Sequence, residues 1–344
     1  MDKLIIASMH KNAGKTSLIV GMAKELKKST GYVKPFGDRL VYKKKRLWDY
    51  DSALLMHILG LEDDAENMSI GFDHSKLTYM YDEQKTKDKL KECISKIQKD
   101  LLFIESGGNI MYGASVHLDA LTLAKETGGK LFVVLSGEDH AIMDDAAFLK
   151  KSIDVQGINF GGVVLNKIRD MEDFREVRLP QIKKLGLEVV GMIPHRSELT
   201  HFSVSYLAES LFAKVITGEE HLDRIVKNIF IGAMSANVAL QKPLFKKENK
   251  LIITGGDRSD MILAALETGS VAVILTNNII PEPDIVSKAA DKKIPLLLVP
   301  FDTFEVARRI DELEPLLTKN DNENQELLGK LVGEHVDLKR MVEE

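Results

Sequence analysis

An α/β fold, with a parallel sheet flanked by helices, then a smaller α/β domain and a C-terminal helix, is predicted by three observations. Short apolar runs alternate with longer segments of helical periodicity, the rhythm that parallel strands joined by crossover helices impose. The first apolar run, Leu4-Ile5-Ile6-Ala7, leads through a short loop into Gly14-Lys15-Thr16 and a helical segment. The 344 residues exceed what one hydrophobic core usually organises, so two domains of about 100 to 200 residues each are expected.

Taken in order, the first strand is expected at 3–7 and its helix at 15–28. Strands follow at 31–36, 101–105, 131–136, 161–165 and 188–193, each short, β-branched or apolar, and followed by polar residues. A helical stretch closes near Ile216, and a second series of strands is expected at 228–232, 250–254, 271–276 and 295–299. The apolar pattern breaks at ITGEEHLDR, which sets a boundary near residues 215 to 225. The expected domains are therefore 1–215, 225–312, and a polar linker with a C-terminal helix at 313–344. In that last segment Thr318 to Gln325 (TKNDNENQ) reads as linker. Leu328, Leu331, His335, Leu338 and Val342 then recur at intervals of three and four, so they share one helix face. That face is expected against the chain's own body or a subunit partner, with His335 a stripe residue rather than a ligand.

Composition narrows the function classes. With 44% hydrophobic and 29% charged residues and a formal charge of -5, the chain gives no reason to expect nucleic acid as a partner. The single cysteine, Cys93, supplies neither an internal disulfide nor a metal cluster. The N-terminal apolar run is too short for a signal peptide, and no segment approaches the ~18 apolar residues of a membrane span. A cytoplasmic protein that does not engage membranes is expected.

The strongest motif is KLIIASMHKNAGKTSL, a strand that runs into a GKT loop and a helix. This is the context of a phosphate-binding P-loop. Backbone N–H groups of Asn12, Ala13, Gly14 and the helix start at Lys15, Thr16 and Ser17 are placed to face phosphates, with Lys15 neutralising charge and Thr16 holding magnesium. The full pattern wants glycine where this chain has Met9. In DLLFIESGG an apolar run ends in Glu105, which puts a carboxylate at a strand's C-terminal end, where open α/β sheets bind ligands. Asp49 and Asp51 in RLWDYDSALL offer a further metal carboxylate or a helix cap.

GKTS, GYVKPF, DYDSALL, FIESGGN, GGVVLNKI and VVGMIP, in this order, resemble dethiobiotin synthetase, and more closely the related region at the N-terminus of phosphotransacetylase, over residues 1 to about 215. The resemblance implies ATP and Mg2+ as cofactors. It also implies Lys15 and Thr16 on phosphate and magnesium, Asp51 and Glu105 as magnesium-associated acids, and Lys34 facing substrate beside Lys15 as a catalytic residue. Asn166 would contact adenine and Pro194 would line the base, and a homodimer is implied as well. Ser8-Met9-His10-Lys11 and Phe36-Gly37-Asp38-Arg39 depart from the dethiobiotin synthetase pattern, which puts that enzyme's substrate in doubt. The basic run Lys43 to Arg46 reads as a solvated face, with the lining of an entrance for an anion as the other reading.

In the second half, IITGGDRSDMILAALETGSVAVILTNN resembles the DRTGG domain over about 225 to 312. Gly256, Asp257 and Arg258 mark a possible anion site there, with Asp257 capping the next helix, Arg258 in its first turn, and a structural Asp-Arg pair as the other reading. Long-type phosphotransacetylases carry both domains ahead of a catalytic domain, so the chain resembles their regulatory portion and acetyl transfer is not expected of it. Two functions follow as expectations. The first is a nucleotide-sensing regulatory protein. The second is an ATP-dependent ligase or carboxylase that phosphorylates a small carboxylate or carbamate. A glutamine-dependent amide synthase ranks lower, because Cys93 sits in a charged helix.

Overall fold

Leu4, Ile5, Ile6 and Ala7 are buried on both faces, as in a central parallel strand covered by helices on either side. The computed structural model describes residues 1–43, 46–61 and 68–342, and places this run in β1 (Asp2–Ser8). It is followed by α1 (Lys15–Glu25), β2 (Thr30–Val33), β3 (Leu40–Lys43), β4 (Arg46–Asp49), α2 (Tyr50–Leu59), α3 (His74–Met80) and α4 (Glu83–Ser95). Next come β5 (Leu101–Glu105), α5 (Ala120–Thr127), β6 (Lys130–Ser136), α6 (Asp139–Gln156), β7 (Phe160–Ile168), α7 (Met171–Asp173), α8 (Leu179–Lys184) and β8 (Val189–Pro194). Six strands lie in the order β2-β5-β1-β6-β7-β8, and all their pairings are parallel. The chain builds β2 and β5 on one side of β1 and then β6 to β8 on the other. The crevice beyond the C-terminal ends of β1, β5 and β6 is therefore the topological switch point. This unit comprises Met1–Arg196 together with Leu317–Glu344.

The hairpin of β3 and β4 is a separate two-stranded antiparallel sheet. Of the basic run Lys43 to Arg46, residues 44–45 and the four side chains lie outside the described residues.

The second unit, Ser197–Leu316, contains β9 (Phe202–Ser203), α9 (Val204–Ser210), β10 (Lys214–Thr217), β11 (Ile225–Val226), β12 (Asn228–Ile231), α10 (Ala236–Ala239) and β13 (Lys250–Gly255). It continues with α11 (Ser259–Leu266), β14 (Ser270–Thr276), α12 (Pro283–Asp291), β15 (Leu296–Leu298) and α13 (Thr303–Glu312). Its sheet runs β10-β15-β14-β13-β12. The last four are parallel to their neighbours and β10 joins antiparallel. Phe230, Ile252 and Met261 pack on one face and Leu207, Ile253 and Val306 on the other. Residues 197–215, read from sequence as the end of the first domain, belong to this unit. The helix expected to reach Ile216 stops at Ser210. Phe212 turns the chain at φ 51, and the β-branched residues Val215, Ile216 and Thr217 pass into an edge strand.

The C-terminal segment returns to the first unit as α14 (Asn322–His335) and α15 (Leu338–Val342). Gly21 on α1 permits the contact with α14, since a methyl group there would lie 2.4 Å from Val332 Cγ2 and 2.7 Å from the Leu328 carbonyl. The expected single helix breaks after His335. Val336 bridges to Gly191 and Asp337 N–H donates to the Val190 carbonyl, so the chain caps the outer edge of β8 before turning into α15.

Candidate functional site

Between β1 and α1 the loop 9–14 ends at Gly14, the N-cap of α1, with φ 102. Glycine is needed there twice over, because a methyl group would also lie 2.2 Å from Asn166 Nδ2. Asn12 is left-handed as well, at φ 62. The loop is fastened from two sides. Asn166 Nδ2 donates to the Ala13 carbonyl at 2.7 Å, and Lys167 Nζ to the Asn12 carbonyl at 2.7 Å. From the other side, Arg39 Nη2 donates to the Asn12 side-chain oxygen.

Lys15 is buried and donates from Nζ to Ser8 Oγ at 3.1 Å. Burial lowers its pKa, with the nearby Glu105 carboxylate opposing. Thr16 Oγ1, one residue on, donates to Glu105 Oε1 at 2.9 Å. Ser17 is half-buried in the same first turn. Glu105, the last residue of β5, also accepts from Tyr32 OH at 2.9 Å. Desolvation, reinforced by Asp51, pushes its carboxyl up to about 7, against the pull of Lys34 and Lys15.

Lys34 sits just beyond β2. Its Nζ lies 2.6 Å from Asp38 Oδ1, 2.6 Å from Asp51 Oδ2 and 3.3 Å from Asp49 Oδ2. Burial works against its charge, but the carboxylates of Asp51, Glu105, Asp49 and Asp38 outweigh it and hold the pKa well above the ordinary lysine value. The two acids of the DYD segment divide their work. Asp49 caps α2, accepting from Ser52 N–H at 3.0 Å, and takes the N–H groups of Asp38 and Arg39 at 3.1 and 3.2 Å. Asp51 faces the site, where Arg39 Nη1 approaches it at 3.1 Å. Burial disfavours the Asp51 charge, yet Lys34 and Arg39 bring its pKa below the ordinary value.

The structure thus brings Asn12 to Ser17, Lys34, Asp51, Glu105 and Asn166 together at the switch point. Pro194 ends β8, in register with Ile168 of β7. Sequence reasoning left out Ser8, Tyr32, Asp38, Arg39 and Lys167 as site members. Asp38 and Arg39 carried a usable signal, since they stand in the loop beyond the C-terminal end of β2, on the side where Glu105 ends β5.

In the second unit Gly256, Asp257 and Arg258 form the turn after β13. Arg258 rather than Asp257 is the N-cap of α11, which starts at Ser259. The Arg258 guanidinium spans the Met234 carbonyl at 2.8 Å, the Gly232 carbonyl at 3.5 Å and Asp260 Oδ1 at 3.4 Å. Its partners are thus the loop after β12 and an acid of its own helix. A methyl group on Gly256 would lie 1.7 Å from the Ile279 carbonyl, so that glycine serves a close backbone approach.

Comparison with known proteins also divides the chain in two, with the break between residues 203 and 206. A family model described as AAA domain matches residues 2–203, and one described as DRTGG domain matches residues 206–313. The phosphate acetyltransferase of Pseudomonas aeruginosa is 24% identical over 376 residues, covering 98% of this chain and 51% of that protein. The phosphate acetyltransferase of Synechocystis sp. is 30% identical over 182 residues, covering 50% of this chain and 26% of that protein. The chain spans about half the length of the curated relatives it matches along nearly its whole length. Among solved structures, the MinC:MinD cell division protein complex of Aquifex aeolicus aligns at 19% identity and a TM-score of 0.38, over 58% of this chain and 83% of that one.

Proposed function

Since the chain belongs to the family described as AAA domain through residues 2–203, and carries a DRTGG domain at 206–313, we propose that it binds ATP with Mg2+ and serves as a nucleotide-sensing regulatory protein. The observation that carries the reading is the contact of Thr16 with buried Glu105, directly beside buried Lys15. A hydroxyl and a carboxylate meet where the phosphate loop becomes a helix, which is the arrangement an Mg·nucleotide site needs.

The donor set fits magnesium. Thr16, Asp51 and Glu105 offer hard oxygen ligands, and the Glu105 carboxyl is raised by its burial first and by Asp51 second. Lys15, Lys34 and Arg39 face Asp38, Asp49, Asp51 and Glu105, so a polyanion entering the site meets carboxylates whose charge a divalent cation would offset. The cation would neutralise phosphate charge there, while Asn12 to Ser17 cradle the phosphates and the side toward Asn166 and Pro194 receives the base.

The regulatory reading is favoured over an ATP-dependent ligase by the state of Lys34. An ammonium has three donors, and three carboxylates already surround this one. A lysine so held organises its own site rather than reaching for a second substrate. The chain is proposed to act in the cytoplasm as a homodimer; among the described residues no helix is long and apolar enough to cross a membrane.

A thermal-shift screen of ATP, ADP and GTP, each with and without Mg2+, followed by phosphate-release measurements, tests the proposal. ATP with Mg2+ should raise the melting temperature by roughly 5 °C or more at 100 times Kd, with ATP alone far less effective. Phosphate release should stay slow. No shift with any nucleotide would defeat the reading, and rapid release stimulated by a small carboxylate would favour the ligase. Light scattering of the same samples reads the dimer, which a monomer throughout would refute.

A further inference from the structure

The end of β7 approaches the phosphate loop. The pairing of β7 with β8 slips between Leu165 and Ile168, which takes Asn166 and Lys167 out of regular register. Lys167 sits in the left-handed region at φ 61, a conformation that costs an L-residue of this kind on the order of 1 kcal/mol. The slip and the left-handed turn let two consecutive side chains reach two consecutive carbonyls of the loop. Asn166 donates to Ala13 and Lys167 to Asn12, each at 2.7 Å.

The orientation of the Asn166 amide is set by its other end. Its oxygen accepts the Lys167 N–H at 2.9 Å, which leaves the nitrogen toward Ala13. The reversed amide would set oxygen against oxygen. Because Ala13 and Asn166 are both buried, the carbonyl depends on this donor in place of water.

A trans peptide unit points its C=O and the following N–H in opposite directions. Holding the carbonyls of Asn12 and Ala13 toward β7 therefore turns the N–H groups of Ala13 and Gly14 to the opposite side. We infer that Asn166 and Lys167 are positioning residues, which fix the phosphate loop with those N–H groups aimed at the phosphates, and that Asn166 acts through Ala13 rather than by reading the base. The inference rests on the nucleotide site proposed above. Gly14 belongs to the same device, because any Cβ there would displace the Asn166 amide.

The test uses the full chain and calorimetric titration with three Mg2+ complexes: ATP, GTP and inorganic tripolyphosphate, which has no base. Asn166→Ala and Lys167→Met should weaken all three by a similar factor, about tenfold or more, which corresponds to ~1.4 kcal/mol. The preference for ATP over GTP should keep its value. Lys167→Arg, which keeps a donor for the Asn12 carbonyl, should recover most of the loss. For Lys167→Met the loss should persist at 0.5 M salt, where a plain loss of attraction between charges would be screened. Melting of the ligand-free variants checks the fold; should Asn166→Ala not fold, Asn166→Ser takes its place with the same expectation. The inference is overturned if Asn166→Ala weakens ATP alone and leaves tripolyphosphate untouched, or if Lys167→Arg binds no better than Lys167→Met. Failure of the unaltered chain to bind any of the three would bring down the nucleotide site itself, and the inference with it.

Discussion

Enclosed by Thr16 and Tyr32, the Glu105 carboxyl is pushed up to about 7 from an ordinary 4.5, by desolvation first and by Asp51 second. Its folded value lies above its unfolded value, so the folded chain keeps a proton that the unfolded chain has already released. That contribution to stability is fully present below about pH 4.5 and is lost as pH rises through about 7. Glu105→Gln keeps the shape and removes the ionisation. In urea unfolding with a chelator present, the variant should gain stability over the unaltered chain at pH 8, by an amount on the order of 2–3 kcal/mol, and little at pH 5. An equal difference at both pH values would show that Glu105 titrates as an ordinary surface acid. With Mg2+ and ATP present the order should reverse, because the amide has no charge to offer a cation. That Lys15, Thr16 and Glu105 come together was legible in the sequence, since Lys15 and Thr16 open the helix after β1 and Glu105 ends β5. The Lys34 cluster was legible only in part. Asp49 and Asp51 look alike in DYDS, and only their distances from Ser52 and Lys34 separate the cap from the site acid.

At the scale of the element, α14 lies on α1, the helix that begins at the phosphate loop. Leu328, Leu331 and Val332 of α14 and Met341 of α15 are all buried in the first unit, and Lys24 Nζ meets Glu326 Oε1 at 2.7 Å at the rim. Removing residues 319–344 strips that cover. At about 1.5 to 3 kcal/mol for each buried side chain, the truncated chain should melt at a clearly lower temperature and bind a hydrophobic dye. A melting curve indistinguishable from that of the intact chain would mean that α14 contributes nothing to the unit. The apolar stripe was readable from its spacing, and its partner was left open between own body and subunit. What periodicity did not carry was the break at Val336. That break is set by the Val190 carbonyl and Gly191 on a strand far away in sequence. The same holds for β10, which the sequence presents as the tail of a helix and which becomes a strand by pairing with β15. Long-range pairing overrides local pattern in both places.

Across the whole molecule, two α/β units each close their own core, and the second is inserted in the sequence of the first, between Arg196 and Leu317. Their existence was legible from the two series of apolar runs. Packing parts the two units at Arg196, whereas the sequence pattern sets the break near 215 to 225. The proposed function lies in the first unit, where a parallel sheet's switch point gathers Lys15, Thr16, Asp51 and Glu105. The most direct test is calorimetric titration of ATP with Mg2+ into the unaltered chain and into Lys15→Ala. The account predicts saturable one-site binding to the first and no detectable binding to the second. It also predicts that the ligand-free variant melts no lower, since burial already disfavours the Lys15 charge. Equal affinity in the two proteins would contradict the account at its centre.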